Sequence, residues 1–346
     1  MRVPSGRGRR TRAGGVRVKW LLKRLLAGVA AVLVVVVGAG ALLAYQYSGS
    51  PEDWAASQGA DAAWVGSWAD TGALEGLLDT GSVSTLYVYA GEVDADGSVE
   101  RVPDTGVLLS WLDANFPDVE ALAWLRHVES GSSLIRDRFD APAREALAPV
   151  VAEVGADGFD GVHLEIRPVT VNDPSLPSLM ELVREELDED ALLSVQAHHV
   201  ELVPGGRVAS FVAGGEEKYW SKGYLDRVTE HADQVVLPGV GANMPSAGLY
   251  GGFMVRQVTE AVTALRTRED VTVRFGVPTY ESEQWGPVTE NETALTAIAA
   301  VRLGMSRVEE VPETMTLGVS LYLVDEAAEG DLTAYRTAWL SPVGER

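Results

Sequence analysis

The stretch Gly155-Ala-Asp-Gly-Phe-Asp-Gly-Val-His-Leu-Glu-Ile-Arg-Pro-Val169 decides the fold of this chain. A turn rich in glycine and aspartate, 155–161, runs into a segment in which apolar and ionisable residues alternate. Because strand side chains point to opposite faces in turn, the segment predicts a strand whose ionisable face carries His163, Glu165 and Arg167. Pro168 cannot donate to a sheet and closes the strand. Polar groups at the end of a short strand are typical of a barrel mouth. The other interpretation is the solvated face of an edge strand.

The same stretch resembles the barrel strand of chitinase-like glycoside hydrolases of family 18, whose pattern is D-G-x-D-G-x-D-x-D-x-E. The matching positions are Asp157, Gly158, Asp160 and Gly161. His163 and Glu165 stand where the family has aspartates, and Arg167 stands where it has the proton-donating glutamate. An arginine cannot protonate a leaving oxygen at neutral pH, because its pKa lies above about 12. The resemblance therefore implies the fold and argues against the family's usual reaction.

Three later segments extend this resemblance over roughly residues 80–340, a length that suits one barrel. Gly276-Val-Pro-Thr-Tyr280 matches the family's G-x-P-x-Y strand. Residues 233–241 stand where the family has a strand ending in M-x-Y-D, but Val240 replaces the tyrosine. Residues 319–325 resemble the last strand, with Asp325 about where a platform tryptophan is expected. The resemblance implies that Asp160, His163, Arg167, Tyr280 and Asp325 line a substrate site.

Strand-like and helix-like patterns alternate through residues 81–346, which favours parallel β/α units. We therefore predict an α/β fold, a TIM (β/α)8 barrel, over 81–346. A doubly wound open sheet is the alternative. No glycine-rich phosphate loop follows any of the predicted strands, which weakens a nucleotide-binding interpretation. We expect no cofactor.

The N-terminus predicts a membrane anchor. Residues 25–44 carry no charge over a length that suits a transmembrane helix. Residues 1–24 hold nine Lys and Arg and no acidic residue, which predicts a basic cytoplasmic tail with the barrel outside the cell membrane. The predicted partner of residues 25–44 is the lipid bilayer. A cleaved signal peptide is the alternative, although the apolar run is long and lacks a clean cleavage site.

Residues 45–80 are predicted to be a linker and lead-in segment, because Ser48-Gly-Ser-Pro51 has linker composition. Trp54, Trp64 and Trp68 follow, and either core packing or a sugar-stacking strip would explain them. After residue 24 the chain holds 19 Lys and Arg against 50 Asp and Glu. This acidity predicts solubility and excludes a nucleic-acid partner. With no cysteine, disulfides and thiolate chemistry are excluded.

Glu165 is the one carboxylate left at the family's three catalytic positions, and it is the candidate catalytic residue. Beside Arg167 it would be ionised, which favours a salt bridge or a base over an acid. Arg167 itself is suited to bind a carboxylate or phosphate, groups found on muropeptides and acidic glycans. A metal site is a weaker alternative, since no metal-binding spacing is present. Its candidate ligands are His127, Glu129, His163, Glu165, His198 and His199.

These observations favour a membrane-anchored, extracytoplasmic, glycoside-hydrolase-like barrel that binds cell-envelope or N-acetylated glycan as a pseudoenzyme. An active hydrolase that uses Glu165 in an atypical site is the first alternative, and a protein-interaction scaffold is the second.

Overall fold

The computed structural model describes residues 14–66, 68, 72–94, 96–128, 141–167, 169, 173–202, 219–268, 270–279 and 290–341. Its first element is the helix Gly14–Tyr45. Within it, Arg24–Tyr45 is long and apolar enough to cross a membrane, and its most apolar stretch has a mean hydropathy of 2.7 with none of it buried. This helix is compatible with an anchor or a signal sequence.

Eight parallel strands form a closed barrel. The strands of the chain are β1 Asp61–Val65, β2 Val83–Val93, β3 Val99–Arg101, β4 Glu120–Val128, β5 Gly161–Arg167, β6 Leu192–Gln196, β7 His199–Val200, β8 Tyr219–Trp220, β9 Gln234–Leu237, β10 Thr272–Pro278 and β11 Thr316–Tyr322. The barrel order is β1-β11-β10-β9-β6-β5-β4-β2, and β1 pairs with both β11 and β2. The predicted β/α barrel is therefore confirmed, and the open-sheet alternative is wrong because no edge remains between β1 and β2.

Helices cover the barrel from outside. Their bounds are Gly72–Leu78, Thr105–Asn115, Ala141–Ala156, Ser175–Glu186, Lys222–Val228, Ala247–Leu265, Ala294–Met305 and Glu329–Ala334, and a π-helical turn, Tyr335–Leu340, follows. Residues 219–231 are predicted to be helical throughout. The helix there begins only at Lys222, because Ser221 is extended and its side chain caps the helix by accepting from the Tyr224 N–H.

The central strand β5 has the two faces that its alternation predicts. Val162, Leu164 and Ile166 pack outward in the core between strands and helices. The intervening side chains point into the barrel. Gly161 starts the strand with a φ of 154°, and a Cβ there would collide with the backbone of Leu192. The glycine-rich turn is thus required by the close approach of β5 and β6.

The segment predicted as a linker and lead-in, residues 45–80, supplies the first barrel strand, β1. Its five residues are all buried, including Trp64. One carboxylate, that of Asp61, holds this strand in place and is itself fully buried. It accepts hydrogen bonds from Ser57 Oγ, the Val319 N–H, Tyr335 OH and Trp339 Nε1. The barrel therefore begins near residue 61, because β1 closes the gap between the strands from the two ends of the chain.

Candidate functional site

The carboxyl end of β5 carries a buried ionic cluster. Glu165 is fully buried, and Arg167 binds one of its carboxylate oxygens. Its other oxygen accepts a hydrogen bond from Trp124 Nε1 at 2.9 Å and lies 3.8 Å from Arg126 Nε. Glu165 is thus shared by two guanidinium groups and an indole. A carboxylate in this setting is an acceptor only, and it has no exposed surface with which to reach a substrate.

The cluster continues onto β2 through Arg126, whose Nη1 lies 3.2 Å from Glu92 Oε1. Glu92 is also hydrogen-bonded to Tyr89. Burial raises the pKa of Glu92, although Arg126 opposes the shift. Burial and the nearby Glu92 carboxylate raise the pKa of Tyr89 to about 12. We call Tyr89, Glu92, Trp124, Arg126, Glu165 and Arg167 the mouth cluster.

Exposure differs sharply within the mouth cluster. The Glu165 side chain is 0% exposed, whereas those of Arg126, Arg167 and Glu92 are 12%, 28% and 43% exposed. The groups that can touch a ligand are therefore the two arginines, Glu92 and the partly exposed Tyr89. Glu165 holds the guanidinium groups in place from beneath.

His163 lies one layer deeper in the barrel. It is fully buried, its Nδ1 is 2.8 Å from Ser194 Oγ, and its ring stacks on Tyr87 with centroids 4.0 Å apart. Burial and the charge of Arg274 lower its pKa well below the usual value, so the ring is neutral at pH 7. The structure thus brings His163 onto the same face as Glu165 but leaves Arg126 and Arg167 as the two cations around that carboxylate.

The amino end of the barrel holds a second polar group, which we call the floor network. Arg274 is 2% exposed and is surrounded by neutral oxygens. Its guanidinium donates to Ala60 O, Tyr87 OH, Gln234 Oε1, Ser84 Oγ and Thr85 Oγ1. Glu120 completes the network by accepting from Thr85 Oγ1 at 2.9 Å. The barrel interior is therefore polar at both ends, and its middle is lined by the rings of Trp64, Tyr87, His163 and Tyr322.

Asp160, expected to line the substrate site, lies at the floor instead. It precedes β5, and its carboxylate accepts a hydrogen bond from the Ala121 N–H at 2.7 Å. Arg167 is the last of the seven residues of β5 that follow it, a distance of about 23 Å at 3.3 Å per residue. The structure corrects the sequence interpretation: this aspartate fixes the start of β4 against β5.

Asp325 and Tyr280 are the other two residues expected to line the substrate site. Asp325 lies at the carboxyl end of β11, across the barrel from β5, and its carboxylate accepts from the Gly66 N–H at 3.0 Å. It is thus at the mouth but apart from Glu165 in the strand order. Tyr280 lies outside the described residues.

The histidines proposed as metal ligands are dispersed. His127 Nδ1 is 2.6 Å from the Val93 carbonyl oxygen, and His199 Nε2 is 3.1 Å from the Val240 carbonyl oxygen. His198 stacks on Trp220 with centroids 5.0 Å apart. Among the described residues, no group of three His, Asp or Glu side chains could hold a metal ion. Glu129 falls outside that part of the chain.

Sequence reasoning missed four members of the mouth cluster: Tyr89, Glu92, Trp124 and Arg126. Strict alternation along β4 from Leu122 would have placed Trp124 and Arg126 inside the barrel. Glu92 could not be found in this way, because the pairing of β2 with β4 shifts between Tyr89 and Gly91. This irregularity places Glu92 opposite Arg126.

Solved structures share this fold. The spore cortex-lytic enzyme SleL of Bacillus cereus matches with a TM-score of 0.56 at 11% identity, over 80% of this chain and 73% of that one. A chitinase from Rhizomucor miehei matches with a TM-score of 0.53 at 12% identity, over 80% and 98% of the two chains. A chitinase from Chromobacterium violaceum gives a TM-score of 0.52 at 12% identity, over 80% and 97%. No protein-family model and no curated protein matches the sequence. The structural neighbours are thus chitinase-like glycoside-hydrolase barrels, and the likeness concerns the fold.

Proposed function

We propose that this chain is a membrane-anchored, extracytoplasmic barrel that binds cell-envelope or N-acetylated glycan through its mouth cluster without cleaving it. The observation that supports the proposal is the environment of the Glu165 side chain. It is fully buried and shared among Arg126, Arg167 and Trp124. A hydrolase needs an acid that reaches the leaving oxygen, and here the side chains that reach the mouth from β5 and β4 are arginines.

Loss of the acid is consistent with the resemblance to family 18, in which Arg167 takes the place of the proton donor. A positioned general acid contributes about 10²–10⁴-fold to a rate, and an arginine supplies none of it. The family's use of the substrate's own acetamide also requires a carboxylate beside that group. Glu165 has no exposed surface for that role. Binding without turnover follows from the arginine at the position of the acid and from the burial of Glu165.

The ligand chemistry follows from the exposed cations. Arg126 and Arg167 are both partly exposed, and each is already ordered by Glu165. Guanidinium groups that are held in place bind carboxylate or phosphate oxygens in a defined geometry at low entropic cost. Glycans that carry such groups, including muropeptides, fit this mouth better than neutral chitin chains do.

The anchor part of the proposal is supported by the helix Arg24–Tyr45 and by the nine cations that precede Leu25. Positive flanks remain in the cytoplasm, so the barrel would lie outside.

A second candidate function is hydrolysis by an atypical pair of carboxylates, and Glu92 is the observation that favours it. Its pKa is raised by burial, its side chain is 43% exposed, and Arg126 joins it to Glu165. A carboxyl group with a raised pKa at a barrel mouth is suited to proton donation. Under this alternative, Glu92 would be the acid and Glu165 the carboxylate that positions Arg126.

Native mass spectrometry of the full chain in detergent, incubated with muropeptides or with chito-oligosaccharides, tests both candidates because it reports bound and shortened ligand together. We expect bound, uncut muropeptide, and at least tenfold weaker binding by Arg167→Gln. The matched control is Arg101→Gln, which removes an arginine from an exposed ion pair with Asp157 away from the mouth. Shortened products that disappear in Glu92→Gln would establish the hydrolase instead. Equal binding by Arg167→Gln and the native chain would contradict the assigned site.

A further inference from the structure

The membrane-spanning helix is packed directly onto the barrel. A Cβ at Gly252, in the helix Ala247–Leu265, would overlap the carbonyl oxygen of Leu43, and a Cβ at Gly251 would overlap the ring of Tyr47. The Tyr47 side chain is hydrogen-bonded to Thr296. Glycines allow two helices to approach at backbone distance, so the two segments form a close and specific contact.

Polar contacts hold the next residues of the chain as well. Arg307 donates to Gln46 Oε1 at 2.9 Å and to the Ser48 carbonyl oxygen at 2.7 Å. The Glu52 N–H donates to Ser306 Oγ at 2.8 Å. A freely jointed tether would let the barrel tumble beside the membrane. These contacts instead give the barrel a fixed orientation relative to the helix.

The contacts also define which way the helix leaves the barrel. The helix Ala247–Leu265 follows β9 and precedes β10, so it runs from the mouth to the floor. Leu43 meets Gly252, and three residues earlier Gly40 faces the Leu249 side chain, 3.8 Å from where its own Cβ would lie. The membrane helix therefore approaches the mouth of the barrel toward its N-terminal end. Residues 25–39 extend beyond that contact, about 22 Å at 1.5 Å per residue.

One exposed apolar side chain on the barrel is consistent with the same direction. Leu295 is 57% exposed and lies in the first turn of the helix Ala294–Met305, at the mouth end. Val107, at 68%, belongs to a helix whose Leu109 lies against Gly158 in the turn before β5, so it is nearer the floor. Trp54, at 47%, is exposed in the lead-in to β1. The direction therefore rests on the helix contacts, and an apolar side chain at the rim is suited to the interface of a bilayer.

We propose that the mouth of the barrel faces the bilayer, with its rim against the lipid headgroups of the outer leaflet. The mouth cluster then takes its glycan from the membrane surface, as a saccharide attached to lipid or lying against it. Glycan strands farther from the membrane meet only the floor and the sides of the barrel. This inference rests on the proposed anchoring and adds the orientation and the source of the ligand.

Depth-dependent quenching tests the orientation, because the chain has no cysteine and single-cysteine variants label cleanly. The full chain would be reconstituted in vesicles of phosphatidylcholine and phosphatidylglycerol with spin-labelled headgroups. A bimane label is placed at Asp94→Cys, an exposed position directly after β2 at the mouth, or at Asp118→Cys, an exposed position before β4 on the floor. Both lie across the barrel from the membrane helix. We expect at least twofold stronger quenching at position 94.

Each outcome bears on a different claim. Equal quenching at the two positions, or none at either in chains that float with the vesicles, would overturn the orientation. Chains that fail to float with the vesicles would overturn the anchoring and the orientation together. Gly252→Val supplies the internal control, because its side chain would displace Leu43. The difference between positions 94 and 118 should shrink in that variant, and an unchanged difference would contradict the docking contact.

Discussion

The mouth and the floor of this barrel each hold arginine side chains, yet the two ends engage them in opposite ways. At the floor, Arg274 is 2% exposed and donates to neutral oxygens, so the network is closed. At the mouth, Glu165 is buried while Arg126 and Arg167 retain exposed surface. A cation whose donors are all taken by the protein can only stabilise it. A cation held by a buried anion can also bind a ligand.

In β/α barrels generally, residues at the amino end of the strands contribute to stability and residues at the carboxyl end form the functional site. The difference between the two arginine environments agrees with this rule. It also explains the aspartate at position 160. The family resemblance implied a ligand contact, but this residue lies at the floor and accepts from the Ala121 N–H. Position along a strand, rather than residue type, decides which end a side chain serves.

Replacing Arg274 with methionine should have the largest effect on stability. The variant would leave the Ala60 carbonyl oxygen, Thr85 Oγ1 and Tyr87 OH without the donor that Arg274 supplies, while Gln234 keeps the Tyr87 hydroxyl. Each buried acceptor left unsatisfied costs about 1–3 kcal/mol, so we expect a loss of about 3 kcal/mol or more. Urea unfolding of the full chain in detergent would measure the loss. The control is Arg101→Met at an exposed ion pair, which should change stability by less than about 1 kcal/mol. Similar losses in the two variants would contradict a closed floor network.

Glu165→Gln should lower the free energy of unfolding less than Arg274→Met does, but it should weaken ligand binding more. Glutamine keeps an oxygen for Trp124 Nε1, and the partly exposed Arg126 and Arg167 can turn to water. We expect a loss of about 1–3 kcal/mol in the free energy of unfolding. Because Arg167 loses the anion that orders it and Arg126 keeps only Glu92, muropeptide binding should weaken by roughly tenfold or more. Isothermal titration compared with unfolding would separate the effects. Retained affinity would show that Glu165 does not position the arginines.

His163→Phe should produce the smallest change, which appears in how steeply the free energy of unfolding depends on pH. Burial and Arg274 lower the pKa of this histidine in the folded chain, so the unfolded chain binds the proton first. Stability is then full above the unfolded pKa near 6.5 and declines as pH falls, by at most about 1.4 kcal/mol per unit. Phenylalanine retains the stacking on Tyr87 and removes this loss. Unfolding at pH 7.5 and 5.5 would compare the slopes. Parallel slopes would contradict a buried neutral His163.

The residues of β5 show how far sequence reasoning reaches. Alternation alone identified the inward face of His163, Glu165 and Arg167, because strand geometry has a fixed period of two. It also indicated that Glu165 would pair with Arg167, two residues away on the same face. It could not show that Arg126 and Trp124 share the same carboxylate, since these come from β4 and meet it only when the sheet closes.

The N-terminal boundary of the barrel is a second feature that sequence reasoning could not locate. Ser48-Gly-Ser-Pro51 has the composition of a linker, and the prediction extended that character to residue 80. β1 lies in that region and is held by the carboxylate of Asp61, three of whose four partners stand some 260–280 residues later. Local composition carries no information about partners so distant in sequence.

The sequence by itself determined the apolar N-terminal helix, the repeating strands and helices, and the face of β5 that carries Glu165 and Arg167, because each depends on local pattern. The tertiary structure decided which end of the barrel holds each charge, that Glu92 joins the mouth through a shift in strand pairing, and that Glu165 has no exposed surface. Burial and pairing across strands depend on how distant segments close into a barrel, and no local pattern specifies them.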